Sequence, residues 1–501
     1  LEFRRVLFRS LAFITKGGND MNRMLKKSLA LVMALVMVFS IAAVAAPVAS
    51  NVQVTVLVNG KALTFTDATP QLKDDRTYVP YRAVFEALGA EVAFDGATRT
   101  VTAQRDDTQV SFVLGTTQVT ITENDETQTV ATDAAPYIDP NTDRTMVPVR
   151  FAAQALGCMV GWDQETKTVN VIDVDALRAA YGDKFQLMER ASKEMQEAMP
   201  KELSFSGKLN MELSVTDSGT TFPISITGTI SGGMNEDAAN MKANLSLDLT
   251  KLLDESSMTK EEYQQAVQLM AALKNVEINY IINMKTGMIY LNIPVLAQLE
   301  PSFQADAWYS LSLNEIYQQI LGMDVDFATL MTQSQDMSIV DALLMAADMV
   351  KDAPDAYAQV VTVLNTCESI LGDKAFTKNG NVYTSNFAFS QNGQSVGLKM
   401  TLTETNDKIS AMTMDLTAAA EGMEISMNVA ESTKNTTLSF SLSGDAFTGE
   451  PMEMKMELSM DYSELTDAVL TEPAAGSTVL DLMELLGGQI PELPTEEVPA
   501  A

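Results

Sequence analysis

Apolar and polar positions along the chain alternate with two different periods, and the change of period divides it into segments. From Val52 to Val58 and from Ala62 to Thr66 the alternation has period two. The two runs meet at Asn59-Gly60, a pair whose tolerance of positive φ favours a two-residue hairpin. Pro80 stands where a first helical turn begins, because its missing N–H needs no partner there. Ala83, Val84, Ala87 and Leu88 then give one apolar face, and Gly89 closes the helix. A second hairpin, Ala90 to Phe94 and Arg99 to Ala103, turns at Asp95-Gly96. The same pattern returns 68 residues later around Pro148, Leu156, Gly157 and Asp163, and thirteen positions are identical between the copies, Arg82/Arg150 and Asp95/Asp163 among them. This tandem pattern predicts a repeat module over residues 52–174, with copies at about 52–104 and 110–172.

Leu177, Tyr181, Phe185, Met188, Ala191, Met195 and Met199 then keep helical spacing and predict a connecting helix over 175–200. From Leu203 the period returns to two and predicts an antiparallel-sheet module over 203–470. Ser204 to Val215, Phe222 to Ile230 and Met241 to Leu249 read as strands. Thr259 with Glu262 is a capping box opening a helix to Leu273, and Val276 to Met284 with Met288 to Ile293 forms a hairpin about Thr286-Gly287. Ser338 to Val350 and Asp355 to Leu371 read as helices separated by Pro354. Further strands turn at Asn379-Gly380, Asn392-Gly393 and Asn406-Asp407.

The last strands carry the candidate chemistry. Met452, Met454, Met456 and Met460 alternate with Glu453, Lys455, Glu457 and Ser459, and Met412, Met414, Met423, Ile425 and Met427 follow the same rule. One sheet face is thus paved with methionine, and flexible thioethers can repack around apolar ligands. The competing expectation is an ordinary core between sheet and helices. Thioethers also suit Cu(I), but these sulfurs simply follow strand spacing, so no metal site and no cofactor is expected.

Composition narrows the functions. The 501 residues include no histidine, which removes Ser-His-Asp and Cys-His catalysis and the common zinc and copper sites. The net charge of −32 disfavours nucleic acid and anionic lipid headgroups as partners. Residues 1–20 read as an upstream extension. Residues 21–45 have a charged start, an apolar core at Leu29 to Val44 and an Ala43-Val44-Ala45 cleavage site, as in a secretory signal peptide. Its cleavage would leave no transmembrane anchor. The acidic, proline-containing segment 471–501 reads as a disordered tail with a short helix at Val479 to Leu486. Cys158 and Cys367 fall on core positions in different predicted modules, so no disulfide is expected.

Asn59-Gly60-Lys61, Arg76 to Arg82, Ala87-Leu88-Gly89 and Arg99-Thr100-Val101, with Arg144 to Arg150, Ala155-Leu156-Gly157, Trp162-Asp163 and Thr166 to Val169, resemble the copper amine oxidase N-terminal-like (stalk) domain of secreted Gram-positive bacterial proteins. The resemblance implies a non-catalytic α+β module for surface display or association. It transfers no catalytic residue. Gly287 to Pro294 and Trp308-Tyr309, within long strands and inserted helices, are similar to the LolA/LppX-type fold, which implies a curved half-barrel carrying lipids or lipoproteins. Together they give an α+β fold class: tandem β-hairpin/helix stalk repeats followed by a curved antiparallel sheet with packed helices.

Arg82 and Arg150 admit two readings: contact with an acidic wall polymer, or, more simply, a staple to the Asp95 or Asp163 turn within each copy. Gly393 to Gly397 spells G-x-S-x-G, but in a strand region without histidine. Ser257 to Lys260 and Lys285 to Gly287 spell S-x-x-K and K-T-G at the wrong spacing, and Leu493 to Glu497 lacks the glycine of a sorting signal. The sequence therefore predicts a secreted, non-enzymatic envelope protein. Its partners would be a cell-wall or surface component and a lipid or other apolar ligand. The alternative is a structural or adhesive surface protein without a ligand.

Overall fold

The computed structural model describes residues 54–485, except 75, 125, 165, 218–219, 251–258, 317–326, 328–337, 350–356, 392, 421 and 446–450. The segment read as a signal peptide and the 493–497 motif lie outside the described residues. The fold is α+β, with the repeats followed by a curled half-barrel sheet.

In the repeat module, local chemistry sets the turns. Asn59 and Gly60 both take positive φ, 46° and 74°, and join strands Thr55–Val58 and Lys61–Ala62. Gly89 and Gly157, at 78° and 74°, follow the ends of helices Tyr81–Ala87 and Val149–Gln154. Beyond such local hairpins, strand pairing also crosses between the copies. Arg76–Pro80 runs antiparallel to its own counterpart Arg144–Pro148, with Val79 opposite Val147 at the centre. Met146 then faces Pro80 and Pro148 faces Tyr78, a two-fold arrangement about that central pair. Strand Thr55–Val58 of the first copy pairs in parallel with Thr168–Ile172 of the second.

Ion pairs repeat the exchange: Arg76 reaches Asp133 and Arg144 reaches Asp67, both at 2.8 Å. Val56, Val79, Phe85 and Phe112 share one core with Val147, Ala152, Leu156 and Val171. The two copies are therefore a single packed body. Neither copy buries its apolar face without the other.

The described residues form two compact units. One takes residues from 26–186 together with 337–373, the other residues from 187–336 and 374–501. Helices Ile339–Met349 and Val360–Leu371, expected within the sheet module, thus belong with the repeats. Arg178 Nε donates to Asp341 at 2.7 Å, the Tyr181 hydroxyl donates to Asn365 at 2.8 Å, and the Tyr357 ring lies over Gly161. Cys158 and Cys367 consequently share one unit rather than two, and both are buried and outside any disulfide. Desolvation pushes each thiol up to about 12.

The connector also departs from expectation. It is two helices, Val174–Tyr181 and Gln186–Ala198, interrupted at Gly182. Asp173 caps the first by accepting from the Ala176 N–H. The second is tied to the sheet of its unit through Arg190, which meets Glu404 at 2.5 Å. Glu404 also takes Lys378 at 2.6 Å, and the Lys378 hydrogen bond, with those from Arg190 and Tyr383, holds its carboxyl down near about 2.

Among the described residues the sheet unit forms one fourteen-stranded sheet made of two meanders. The first runs through successive antiparallel neighbours from Leu203–Asp217 to Trp308–Ser312, with helix Lys260–Leu273 inserted before Val276–Asn283 and helix Leu296–Leu299 before the last strand. The second runs from Thr377–Asn379 to Met452–Glu464. They join where Leu203–Asp217 pairs antiparallel with Met452–Glu464. Strand Val479–Asp481, within the segment read as a disordered tail, closes the far edge in parallel with Trp308–Ser312, and helix Leu482–Leu485 follows. Backbone pairing at an open edge outweighs the polar composition that suggested disorder.

Candidate functional site

Register places the methionine positions on one face. One row runs Leu398, Leu416, Met427, Phe440, Met456, Met211, Ile226 and Leu247 across eight strands. The neighbouring row runs Ala418, Ile425, Leu442, Met454, Leu213 and Ile224. On the other side lie Met400, Met414, Val429, Leu438, Leu458 and Leu209, then Leu402, Met412, Glu431, Thr436 and Met460. Met452 pairs with Val215 on the same face. Met423 faces Ala420 at the end of its strand. Glu453, Lys455 and Glu457 point to the opposite face, as period two requires.

Burial divides this surface. Met412 and Met414 are only 1% exposed, and Met427, Met400 and Leu402 are also buried. Met423, Ile425, Met452, Met454, Met456 and Met460 are half-buried, as are Leu438, Phe440, Leu442, Met211, Leu213, Ile224 and Ile226. The flank on the first meander is covered by helix Lys260–Leu273, whose Leu269, Met270 and Leu273 pack on Ala243, Leu245 and Ile278. Its capping box forms as the sequence indicates, with the Thr259 hydroxyl accepting from the Glu262 N–H. The apolar face is thus buried at its sides and partly open along its centre.

Gly207, Gly228 and Gly232 sit on that face. A Cβ would fall 2.7 Å from the Met460 sulfur at the first, 2.6 Å from Leu245 at the second and 2.5 Å from Phe205 at the third. The missing side chains let neighbouring strands fold over them, which suits a curled sheet.

One polar pair interrupts the methionine rows. Glu431 lies opposite Thr436 and is only 6% exposed; its Oε2 finds no hydrogen-bond partner among the described residues. Burial pushes its carboxyl up to about 7. The Thr436 hydroxyl interacts with the Tyr462 phenol without forming a well-aligned hydrogen bond. Strand alternation gave no warning of this pair, because Glu431 simply occupies an inward position of an otherwise apolar strand.

The repeat module holds a second feature, a groove of about 1030 Å³. Among the described residues that line it, cations outnumber anions: Lys73, Arg76, Arg150 and Lys167 stand against Asp74 and Asp133. Trp162 and Phe151 add half-buried rings, and Leu72 and Val130 contribute apolar surface that is 52% and 42% exposed.

The staple expected for the two repeat arginines is not formed. Asp95 accepts from Thr98 Oγ1 and the Ala97 N–H, both at 2.8 Å, and Asp163 accepts from Thr166 through its N–H and hydroxyl. Such turns engage their own carboxylates locally before a helix side chain reaches them. Arg82 pairs instead with Glu86, four residues on, at 3.4 Å. Arg150 has Gln154 at that position, and its side chain forms no ion pair or hydrogen bond among the described residues. The change from Glu86 to Gln154 between the copies was the signal available in the sequence.

Among the described residues no catalytic constellation emerges. Gly393, at φ 80°, makes a hairpin turn into strand Gln394–Thr405, so G-x-S-x-G lacks its strand-to-helix elbow. Ser257 lies outside the described residues. Among the described residues, no group of three or more acidic or cysteine side chains could hold a metal, and no helix is long and apolar enough to cross a membrane.

With the cross-paired repeats in view, comparison with known families is decisive for one part of the chain. Residues 57–171 match the family model of the copper amine oxidase N-terminal domain. The match to this N-terminal domain spans both copies and does not include the catalytic domain of those oxidases. A search of curated proteins finds no match. Among solved structures, a DUF1329 family protein from Desulfovibrio piger aligns at 7% identity over 58% of this chain and 98% of its own, with a TM-score of 0.21. Lipovitellin, in a structure titled for its lipid–protein interactions, aligns at 9% identity over 56% and 27%, with a TM-score of 0.18. YwiB from Bacillus subtilis aligns at 7% identity over 54% and 98%, with a TM-score of 0.13. At such scores these likenesses carry no argument about ligand or activity.

Proposed function

We propose that this is a secreted, non-catalytic envelope protein of a Gram-positive bacterium. Its amine-oxidase-type N-terminal domain associates with the cell surface, and its sheet holds a lipid or other apolar ligand against the methionine-lined face. One observation carries the ligand reading: the apolar rows are buried at their flanks yet half-buried along Met452, Met454 and Met456 at the centre. A sealed core would bury the centre first. Flexible thioethers at such an opening can conform to chains of differing shape. Export is supported by the signal pattern of residues 21–45 and the surface role by the family of residues 57–171.

Native mass spectrometry of protein purified from its own host, with titration of a fluorescent fatty acid, tests the ligand. The expected result is a co-purifying apolar mass and saturable binding weakened by Met454→Glu. Ligand-free protein that also ignores the fatty acid returns the sheet to a purely structural or adhesive role. Fractionation of the host culture tests localisation, with the protein expected in the envelope or medium.

A further inference from the structure

We infer that the groove in the repeat unit is a binding site for an acidic glycan, with Arg150 and Lys167 engaging its carboxylates and Trp162 stacking on a sugar face. This rests on the reading of that module as the part that engages the cell surface, and it names the chemistry of the partner.

Three observations support it. Charge comes first. The chain as a whole carries 34 basic against 66 acidic side chains, yet the described residues lining the groove include four cations and two anions. Of those cations Arg76 is already committed to Asp133, whereas the Arg150 and Lys167 side chains have no partner among the described residues. An unpaired guanidinium offers a planar fork to a carboxylate, and two cations give a linear polyanion two points of purchase.

The second observation is the surface between the charges. Trp162 is half-buried, and its indole N–H is held by Gln164 at 2.7 Å, which fixes the ring. A fixed ring flanked by exposed amides at Gln154 and Gln164 suits a pyranose, with its C–H face on the indole and its hydroxyls on the amides. An acidic peptide would use the charges but leave the ring and amides idle.

The third is the contrast between the copies. Arg82, the counterpart of Arg150, is engaged by Glu86; replacement of that glutamate by Gln154 in the second copy removes the competing carboxylate. The groove volume of about 1030 Å³ accommodates several sugar rings.

Isothermal titration of the full chain with tetragalacturonate, maltotetraose and tetraglutamate tests the inference, with Trp162 emission followed in a Trp308→Phe background. Tetragalacturonate is expected to bind saturably, quench Trp162, and weaken as salt rises. Maltotetraose should bind at least about tenfold more weakly. Arg150→Gln should lower affinity about tenfold with an unchanged far-UV spectrum, equivalent to one lost charge-assisted contact, while Arg82→Gln leaves affinity unchanged. Absence of saturable binding by tetragalacturonate, equal binding of tetraglutamate, or an equal loss from Arg82→Gln would overturn the site. Sedimentation with isolated cell walls separates the two levels: walls that retain the protein while tetragalacturonate fails leave the surface role standing and refute the glycan assignment.

Discussion

The buried carboxyl of Glu431 makes the stability of the sheet unit depend on pH in an unusual direction. The perturbation is Glu431→Gln, which keeps the shape and removes the charge. Burial raises the Glu431 carboxyl from its ordinary 4.5 to about 7, with desolvation as the cause. A raised acid binds its proton more tightly in the folded state. Below pH 4.5 both states are protonated and the group costs nothing through ionisation. Between 4.5 and 7 the unfolded chain ionises first, so stability falls as pH rises. Above 7 the folded state carries the full cost, roughly 3 kcal/mol for a displacement of this size. The stability of Glu431→Gln relative to wild type should therefore grow by roughly 3 kcal/mol between pH 4.5 and 8. Tyr462, the titratable neighbour on the same face, has its phenol pushed up to about 12 and stays neutral throughout this window. Urea unfolding at several pH values reads the gap, followed by Trp308 in a Trp162→Phe background, since Trp308 lies in the same sheet. A gap that stays constant within about 0.5 kcal/mol from pH 4.5 to 8 would refute the placement of this carboxyl in an apolar, unpaired setting.

Other predictions probe the repeat unit. Arg105 is 12% exposed and bonds Asp173 at 3.1 Å and Asp175 at 2.9 Å, so Arg105→Met should cost about 3–5 kcal/mol by stranding the Asp173 carboxylate, and adding Asp173→Asn should recover part of it in thermal melts. An added Cβ at Gly161 would stand 2.3 Å from the Tyr357 ring; Gly161→Ala should therefore destabilise by about 1–3 kcal/mol, with Tyr357→Ala showing strong non-additivity in denaturant titration. Cys158 and Cys367 are buried with thiols raised to about 12, so a thiol reagent should label neither in the native protein and both in urea, and rapid native labelling would contradict the packing around the labelled residue. Removal of the Thr259 cap by Thr259→Ala should cost about 1 kcal/mol, read by urea unfolding.

What the sequence determined by itself was everything governed by neighbours along the chain. Asn59-Gly60 specified its turn because few residue pairs accept two positive φ values, Thr259 and Glu262 specified a helix start by mutual hydrogen bonding, and the Met452 to Met460 alternation assigned those side chains to one face. What only the tertiary structure decided were partnerships between distant segments. Val79 could pair within its own copy or with Val147, and local propensity is silent between them. Helices 339–349 and 360–371 lie in sequence between two meanders, yet their partners are Arg178 and Tyr181 of the repeat unit. Arg150 required the fold to show that Asp163 was already engaged by Thr166. Glu431 required it to show that an ordinary inward position was buried without a partner. Turns and caps are fixed by steric and hydrogen-bonding terms within a few residues, whereas burial and ion pairing depend on which surfaces the folded chain brings together.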